Sequence, residues 1–301
     1  MIKYIRYAAT PILVLFGIYF AMKGQYWMWV YEAVFTLIVI FGDLFLGDDR
    51  SQPEYASPKL LNFFLYINLP LLFIILAISV WMAGSLPLPA WGASLMAARE
   101  ETTFIHLVGY VVVLGLMVAT AGTNVGHELT HRKRERFDMF MGNWLLALTW
   151  DCSFAIEHVY GHHKYVATSI DPATAKRGQN PYNFILHAIF LNQRNAWIIE
   201  NNRLVKTGLR PFSIQNRMLI GYARSGILTA AAYLLAAWTG VIVFLLISMG
   251  GKVVLEGVNY MEHYGLIREE GTPILPKHSW NTNRRVSSFF LFNLTRHSSH
   301  H

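Results

Sequence analysis

Apolar residues fall into six long blocks along this chain, at about 8–22, 26–46, 60–83, 103–122, 218–239 and 241–260, with the polar residues gathered between them. A helix needs about 20 mostly apolar residues to cross a hydrocarbon layer about 30 Å thick. The pattern therefore predicts an all-α, polytopic membrane protein with six transmembrane helices. Lys23, Gly24 and Gln25 alone separate the first two blocks, which reads as a tight helical hairpin, and Thr239 and Gly240 divide the last two. Pro70 inside the third block predicts a kink. The stretch 85–100, with Pro87, Pro89 and Trp91, reads as an interfacial or re-entrant loop, and Tyr26, Trp27 and Trp29 suit the membrane–water boundary. Between 127 and 217 the chain is polar and basic, broken by an apolar segment at 137–156 and an amphipathic one at 182–199, which predicts cap helices on the membrane surface.

Composition agrees with this picture, at 54% hydrophobic and 14% charged residues in a chain of 301. The net charge of +7 does not point to nucleic acid, because the basic residues flank the spans and no DNA- or RNA-reading motif accompanies them. Of the 25 Lys and Arg, Lys23 and Arg99 fall in the opposite loops and Arg224 and Lys252 within spans, leaving 21 in the N-terminus, the 47–59 loop, the central region and the tail. The positive-inside rule then places both termini and a cap made of 127–217 and 263–301 in the cytoplasm of a bacterial-type inner membrane. The whole of 1–301 reads as a single membrane domain with a retained first helix. Cys152 is the only cysteine, so the chain carries no disulfide framework, Cys-ligated zinc or iron–sulfur centre, and electrons for redox chemistry must come from another protein.

Histidines carry the candidate chemistry. Nine of the twelve fall in four clusters: His127 and His131 in HELTH, His158, His162 and His163 in EHVYGHH, His263 in NYMEHYGL, and His297, His300 and His301 in TRHSSHH. On a helix the i,i+4 pair His158/His162 would project from one face, as would His127/His131. HELTH alone fits three readings: a zinc protease with Glu128 as general base, another metal site, or a helix end with solvated histidines. The whole set changes the balance, since one tetrahedral zinc leaves five or six imidazoles unused, whereas two metals with four or five each use them all. Iron is the preferred metal, because a site at the rim of a lipid-embedded bundle faces apolar substrates whose C–H bonds need an oxygen-derived oxidant. The carboxylates Glu128, Glu157, Asp171 and Glu262 adjoin the histidines and are candidates to orient the rings. His106, inside the fourth block, reads as a buried histidine bonded to a neighbouring helix; His187 reads as solvated and His278 as structural.

These four clusters resemble those of the integral-membrane alkane monooxygenases, which belong with the xylene monooxygenases and, more distantly, the membrane fatty acid desaturases. HELTHR is similar to the family's first box, EHVYGHH to the second, NYMEHYGL to the HYG box, and NLTRHSSHH to the last, usually written LQRHSDHH. The similarity spans most of the chain, including DLFLGDD at the end of the second block and ATSIDPATA after the second box. Thr295 stands for Gln and Ser299 for Asp in the last box, and the segment that usually follows that box is not in this chain, so a truncated C-terminus is expected.

The resemblance implies a di-iron centre of two iron ions held by His127, His131, His158, His162, His163, His263, His297, His300 and His301. It also implies O2 as co-substrate and terminal hydroxylation of alkanes, with electrons from rubredoxin or a ferredoxin-type donor and its reductase. Substrate would enter from the bilayer, with Phe35, eight residues before Asp43, as a candidate limit on channel depth. The alternatives are an aryl-methyl oxidase of the xylene type or a fatty acyl desaturase or hydroxylase on the same scaffold. An intramembrane zinc protease would use only His127, Glu128 and His131, and in a non-catalytic transporter or metal carrier the histidines would line an ion path.

Overall fold

The computed structural model describes residues 2–51 and 57–299, and among these it is all-helical, with one isolated antiparallel bridge between Asp48 and Arg284. Helices α1 (Ile2–Lys23) and α2 (Trp27–Leu46) form the expected hairpin, turning through Gly24 and Gln25, both at positive φ. The third block is two helices, α3 (Pro58–Tyr66) and α4 (Asn68–Met82). Pro70 has no N–H to donate and its ring crowds the carbonyl of Tyr66, so the rod breaks one turn before the proline. There the Asn68 side-chain amide donates to the carbonyls of Phe64 (2.6 Å) and Leu65 (3.2 Å).

The stretch expected as an interfacial loop contains a 3₁₀ turn at Ala90–Gly92 and a short helix α5 (Ala93–Glu100). The fourth block runs as α6 (Phe104–Met117), a π turn at Val118–Thr123 and α7 (Asn124–His131). His106 does not bridge to a neighbour. Its Nδ1 accepts from the Thr103 N–H at 3.0 Å in a capping box at the start of α6. In the central region lie α8 (Arg136–Ala147), α9 (Phe154–Glu157), a π turn at His158–His162, α10 (His163–Tyr165) and α11 (Pro181–Lys206). The apolar segment expected at 137–156 is thus α8 and α9 with a turn between. Asn180 caps α11 by accepting from the N–H of Tyr182 (2.9 Å) and Asn183 (3.4 Å).

The last two apolar blocks form α12 (Arg217–His263), 47 residues long and broken at Ala236 and Ala237, where φ is −150° and 49°. The break falls just before the Thr239–Gly240 boundary read from sequence. Helix α13 (Arg285–Phe290) and a 3₁₀ turn at His297–Ser299 complete the described chain. Among the described residues, four stretches are long and apolar enough to cross a membrane: Trp27–Leu46, Pro58–Met82, Phe104–His131 and Arg217–His263.

The main apolar core is built from residues such as Val14, Met28, Leu72, Ile75, Leu114, Leu129, Leu148 and Phe244, and smaller clusters around Ile156, Phe154 and Phe184 pack α9 and α11. α2 contributes little to it. Val34, Leu37, Ile38, Phe41, Leu44 and Phe45 all point outward, the exposure expected of a lipid-facing helix. α13 packs across α2 through Val286, which lies so close to Gly42 that a Cβ there would stand 2.6 Å from the Val286 Cγ2. The tail is thereby held against the bundle rather than trailing from it.

Candidate metal centre

Two distortions of helix geometry organise the histidines. The first, the π turn at Val118–Thr123, immediately precedes the helix that carries His127 and His131. These rings lie one turn apart on α7 with centroids 4.8 Å apart. The second distortion runs through the second cluster itself. In an α-helix His158 and His163 would point in different directions, but i→i+5 winding carries residue 163 round to the side of residue 158. Their Nε2 atoms approach to 3.0 Å. Room for the wide turn comes from Gly161, where a Cβ would stand 2.5 Å from the Glu157 Oε1.

The histidines consequently form two groups. His127, His131, His158 and His163 each offer a ring nitrogen, all within 4.8 Å of one another; His162, His263 and His297 do the same. The shared His158/His162 face expected from sequence does not make one ligand group. The two rings stay stacked, with centroids 5.1 Å apart, but belong to different groups because the helix is not α there. His300 and His301, expected as ligands, lie outside the described residues.

The second group is backed by outer partners. His162 Nδ1 lies 3.0 Å from Asp171 Oδ2, and both side chains are almost wholly buried. Asp171 also accepts from the Thr174 hydroxyl at 2.5 Å and the Ala173 N–H at 3.1 Å. Burial works against its charge, but His162 and the Thr174 hydroxyl outweigh it and hold the carboxyl below its ordinary range. His263 Nδ1 faces the His278 carbonyl oxygen at 3.3 Å, a group that can only accept. A proton on Nδ1 of His162 and His263 leaves each ring presenting the Nε2 lone pair inward. His297 Nδ1 lies 3.5 Å from Glu262 Oε1. His278, expected to be structural, supports this group through its backbone.

The donor chemistry fits a bound metal. Nitrogen ligands about 2.1 Å from an ion stand at most about 4 Å apart across it, close to the spacing here. Burial first, then repulsion from His127, His162, His163 and His131, pushes the pKa of His158 well below that of an ordinary imidazole. Neutral rings with converging lone pairs repel unless a cation sits between them, and a metal ion is the cation this set suits.

The candidate carboxylates divide. Asp171 and Glu262 reach histidines, as above. The carboxylate of Glu128 is engaged by Arg132 at 2.7 Å and is half exposed, which does not suit the zinc-protease role of general base. Glu157 is buried beneath the π turn, where burial, then Asp171 and Glu256, push its pKa well up. It shares a small polar void with Asp151, Asn192, Glu256 and Asn259. Sequence reasoning missed this set, in which Glu256 accepts from Asn192 and Asn259, each at 3.0 Å, and Lys252 pairs with Asp151 at 3.1 Å. The signal was present as Lys252, Glu256, Asn259 and His263, a polar stripe at helical spacing in an apolar span.

The tail brings His297 to the site by a strained reversal. Phe292 and Asn293 both adopt left-handed φ, 51° and 65°, just after α13. Thr295, where the resemblance has Gln, pairs its hydroxyl with Ser288 at 2.8 Å, and its carbonyl accepts from the Thr282 N–H at 2.9 Å. Two cavities meet at His127. One, about 390 Å³, is mostly apolar, with Ala119, Val254, Leu255, Val258 and Leu294 among its walls. The other, about 320 Å³, mixes apolar walls with Glu128, Arg132, Asn293 and Arg296. Phe35 borders neither; it lines an outer groove of about 240 Å³ between α2 and α13.

The family model described as fatty acid desaturase matches residues 102–301. Alkane 1-monooxygenase 2 of Pseudomonas aeruginosa is 34% identical over 91% of this chain and 72% of its own length. Alkane 1-monooxygenase 1 of Alcanivorax borkumensis is 34% identical over 99% of this chain and 72% of its own length. The hydroxylase component of xylene/toluene monooxygenase from Pseudomonas putida is 28% identical over 99% of this chain and 77% of its own length. With histidines from four boxes gathered in two groups, one of which borders the apolar cavity through His127, and with these relatives aligned along nearly all of the chain, the protein belongs to the alkane monooxygenase family, within the wider set that the fatty acid desaturase model describes.

Proposed function

We propose that this protein hydroxylates the terminal carbon of alkanes, an alkane and O2 giving a primary alcohol and water with two electrons and two protons supplied from outside. The observation that carries this reading is a pair of convergent imidazole groups, one of which borders a mostly apolar cavity through His127. Two bound irons would supply the oxygen-derived oxidant that an unactivated C–H bond requires. His127, His131, His158 and His163 would hold one, and His162, His263 and His297 the other, with His300 and His301 expected among the ligands. Asp171 and Glu262 orient rings of the second group, with Glu157 beneath the first; Glu128 acts from the surface through Arg132. A substrate with no polar handle is positioned by shape, so the walls decide which carbon is presented, and they keep water from the reacting atoms. Phe35 bears on chain length from the outer groove.

In this reading 1–301 is one membrane domain. α1 is a span in its own right and α12 supplies two, one on each side of its break, making six, with both termini and the histidine cap in the cytoplasm. Exposed Lys133, Arg134, Lys176 and Arg177 give the cap a basic face suited to an acidic one-electron carrier such as rubredoxin, served by its reductase. Reduction rates that fall with rising ionic strength support that docking, and rates flat in salt remove it.

Metal analysis and product identification test the whole. Purified protein is expected to hold about two irons per chain and, with an electron donor and O2, to turn octane into 1-octanol. A single zinc with no oxygen consumption refutes the proposal. The relative named for xylene and toluene keeps an aryl-methyl substrate as the second reading; xylene oxidised in preference to octane would favour it.

A further inference from the structure

The apolar cavity and the outer groove are neighbours, and three residues line both: Thr120, Ser287 and Leu291. We propose that alkane chains reach the metal centre laterally from the bilayer, between α2 and α13, and that Leu291 is the neck of that route and sets which chain lengths pass. This rests on the alkane-hydroxylation reading above and identifies a specificity-determining residue for it.

The groove faces lipid. Its α2 wall is Phe35, Thr36, Val39 and Ile40, on the helix least buried of the four apolar stretches. Its other wall is α13 and the residue that follows, with Phe290 meeting Phe35 edge to face at 5.1 Å. Two of the three neck residues have polar groups already engaged. The Thr120 hydroxyl donates back to the Leu116 carbonyl at 3.0 Å, and the Ser287 hydroxyl donates to Asp43. Leu291 is therefore the large apolar side chain at the constriction.

Its position is fixed from both ends. The Asp43 carboxylate accepts from the backbone N–H of Val286 (2.7 Å) and Ser287 (3.1 Å), capping α13 from another helix. The Leu291 carbonyl accepts from the Asn124 side chain at 2.9 Å, one turn before His127 on α7. The neck is thus tied to the element that presents the first imidazole group. Seven residues separate Thr120 from His127, roughly 10 Å along a helix, comparable to an extended medium-chain alkane. A shorter chain fits between neck and metal centre, whereas a longer one must keep its tail threaded past Leu291 into the groove.

The test uses full-length protein in lipid nanodiscs, with Leu291→Trp, Leu291→Ala and, from the facing wall, Thr120→Leu. Narrowing the neck by Leu291→Trp or Thr120→Leu is expected to lower the hexadecane-to-octane rate ratio by roughly tenfold or more, mainly through KM for hexadecane, with iron content unchanged. Leu291→Ala is expected to raise the ratio. A second readout needs no metal: a long-chain alkyl diazirine photolysed on apo-protein should label groove and inner cavity in wild type, and only the groove in Leu291→Trp. Rate ratios and label maps unchanged across all three variants, or inner-cavity label that arrives without any in the α2–α13 groove, would overturn the proposal. If wild type oxidises no alkane, the functional reading fails, and the label map still decides the route.

Discussion

The two imidazole groups are built in different ways. His127, His131, His158 and His163 come from two helical segments close in sequence, and in both the spacing is set by local winding. His162, His263 and His297 come from the π turn, the end of α12 and the tail after α13, parts of the chain that only folding brings together. The second group accordingly carries visible bracing, with Asp171 on His162, the His278 carbonyl on His263 and Glu262 beside His297. Proximity in sequence makes a metal site robust, and a site gathered from distant segments depends on whatever docks those segments. The lesson is that the second group should be the first to fail when the tail or its supports are disturbed.

The largest effect expected is from the ligands themselves. His131→Ala and His297→Ala should each reduce alkane oxidation more than about a hundredfold. Metal analysis separates them from a general collapse: each variant should fall from about two irons per chain to about one. If His297→Ala emptied both positions, the division into two groups would be broken.

Next comes Asp171→Asn, which keeps the shape of the side chain but removes the charge that fixes the His162 tautomer. Iron affinity in the second group should drop about 10- to 100-fold, read by chelator competition, with the first group holding its metal. Equal loss from both groups would mean that Asp171 braces the whole cap.

A smaller effect is expected from Asp43→Ala, which removes the cap on α13, a change worth about 1 kcal/mol. Loosening α13 loosens the reversal that delivers His297, so iron should become more labile in the second group while the thermal midpoint moves only a few degrees. Lability confined to the first group would contradict the tail's role.

Glu200 provides the control. It joins α11 to the start of α12, accepting from Arg203 at 2.7 Å and from the Arg217 N–H at 2.7 Å. Burial opposes its charge, yet Arg203 and Arg217 hold its carboxyl down at about 2, against an ordinary 4.5. A depressed folded-state value means that this stabilisation is complete above the ordinary range and is lost as pH falls through it toward about 2. Glu200→Gln should lower the melting temperature near neutral pH, flatten its fall in that acid window, and leave the iron distribution between groups unchanged.

Much of the site was legible in the sequence because its residues announce themselves by type. Seven of the expected histidine ligands lie in one of the two groups, and Asp171 and Glu262 reach the rings their motifs adjoin. Glu128 was a weaker inference, since adjacency to His127 says nothing about whether Arg132 claims the carboxylate first. Glu256 and Asn259 were overlooked because they sit in an apolar span, although their spacing from Lys252 and His263 was visible. The lateral groove was not legible at all, as it exists only where α13 crosses α2.

By itself the sequence determined the helical class, the apolar stretches and the four histidine boxes, since hydrophobic block length and side-chain chemistry are local properties. Only the tertiary structure decided that His158 joins His163 rather than His162, because an α- and a π-wound segment can share one sequence and differ in which rings align. It also decided that a break in α12 and a left-handed reversal at Phe292 and Asn293 carry His263 and His297 to the same place. Those are strained or irregular backbone states, held by long-range contacts that no local pattern encodes.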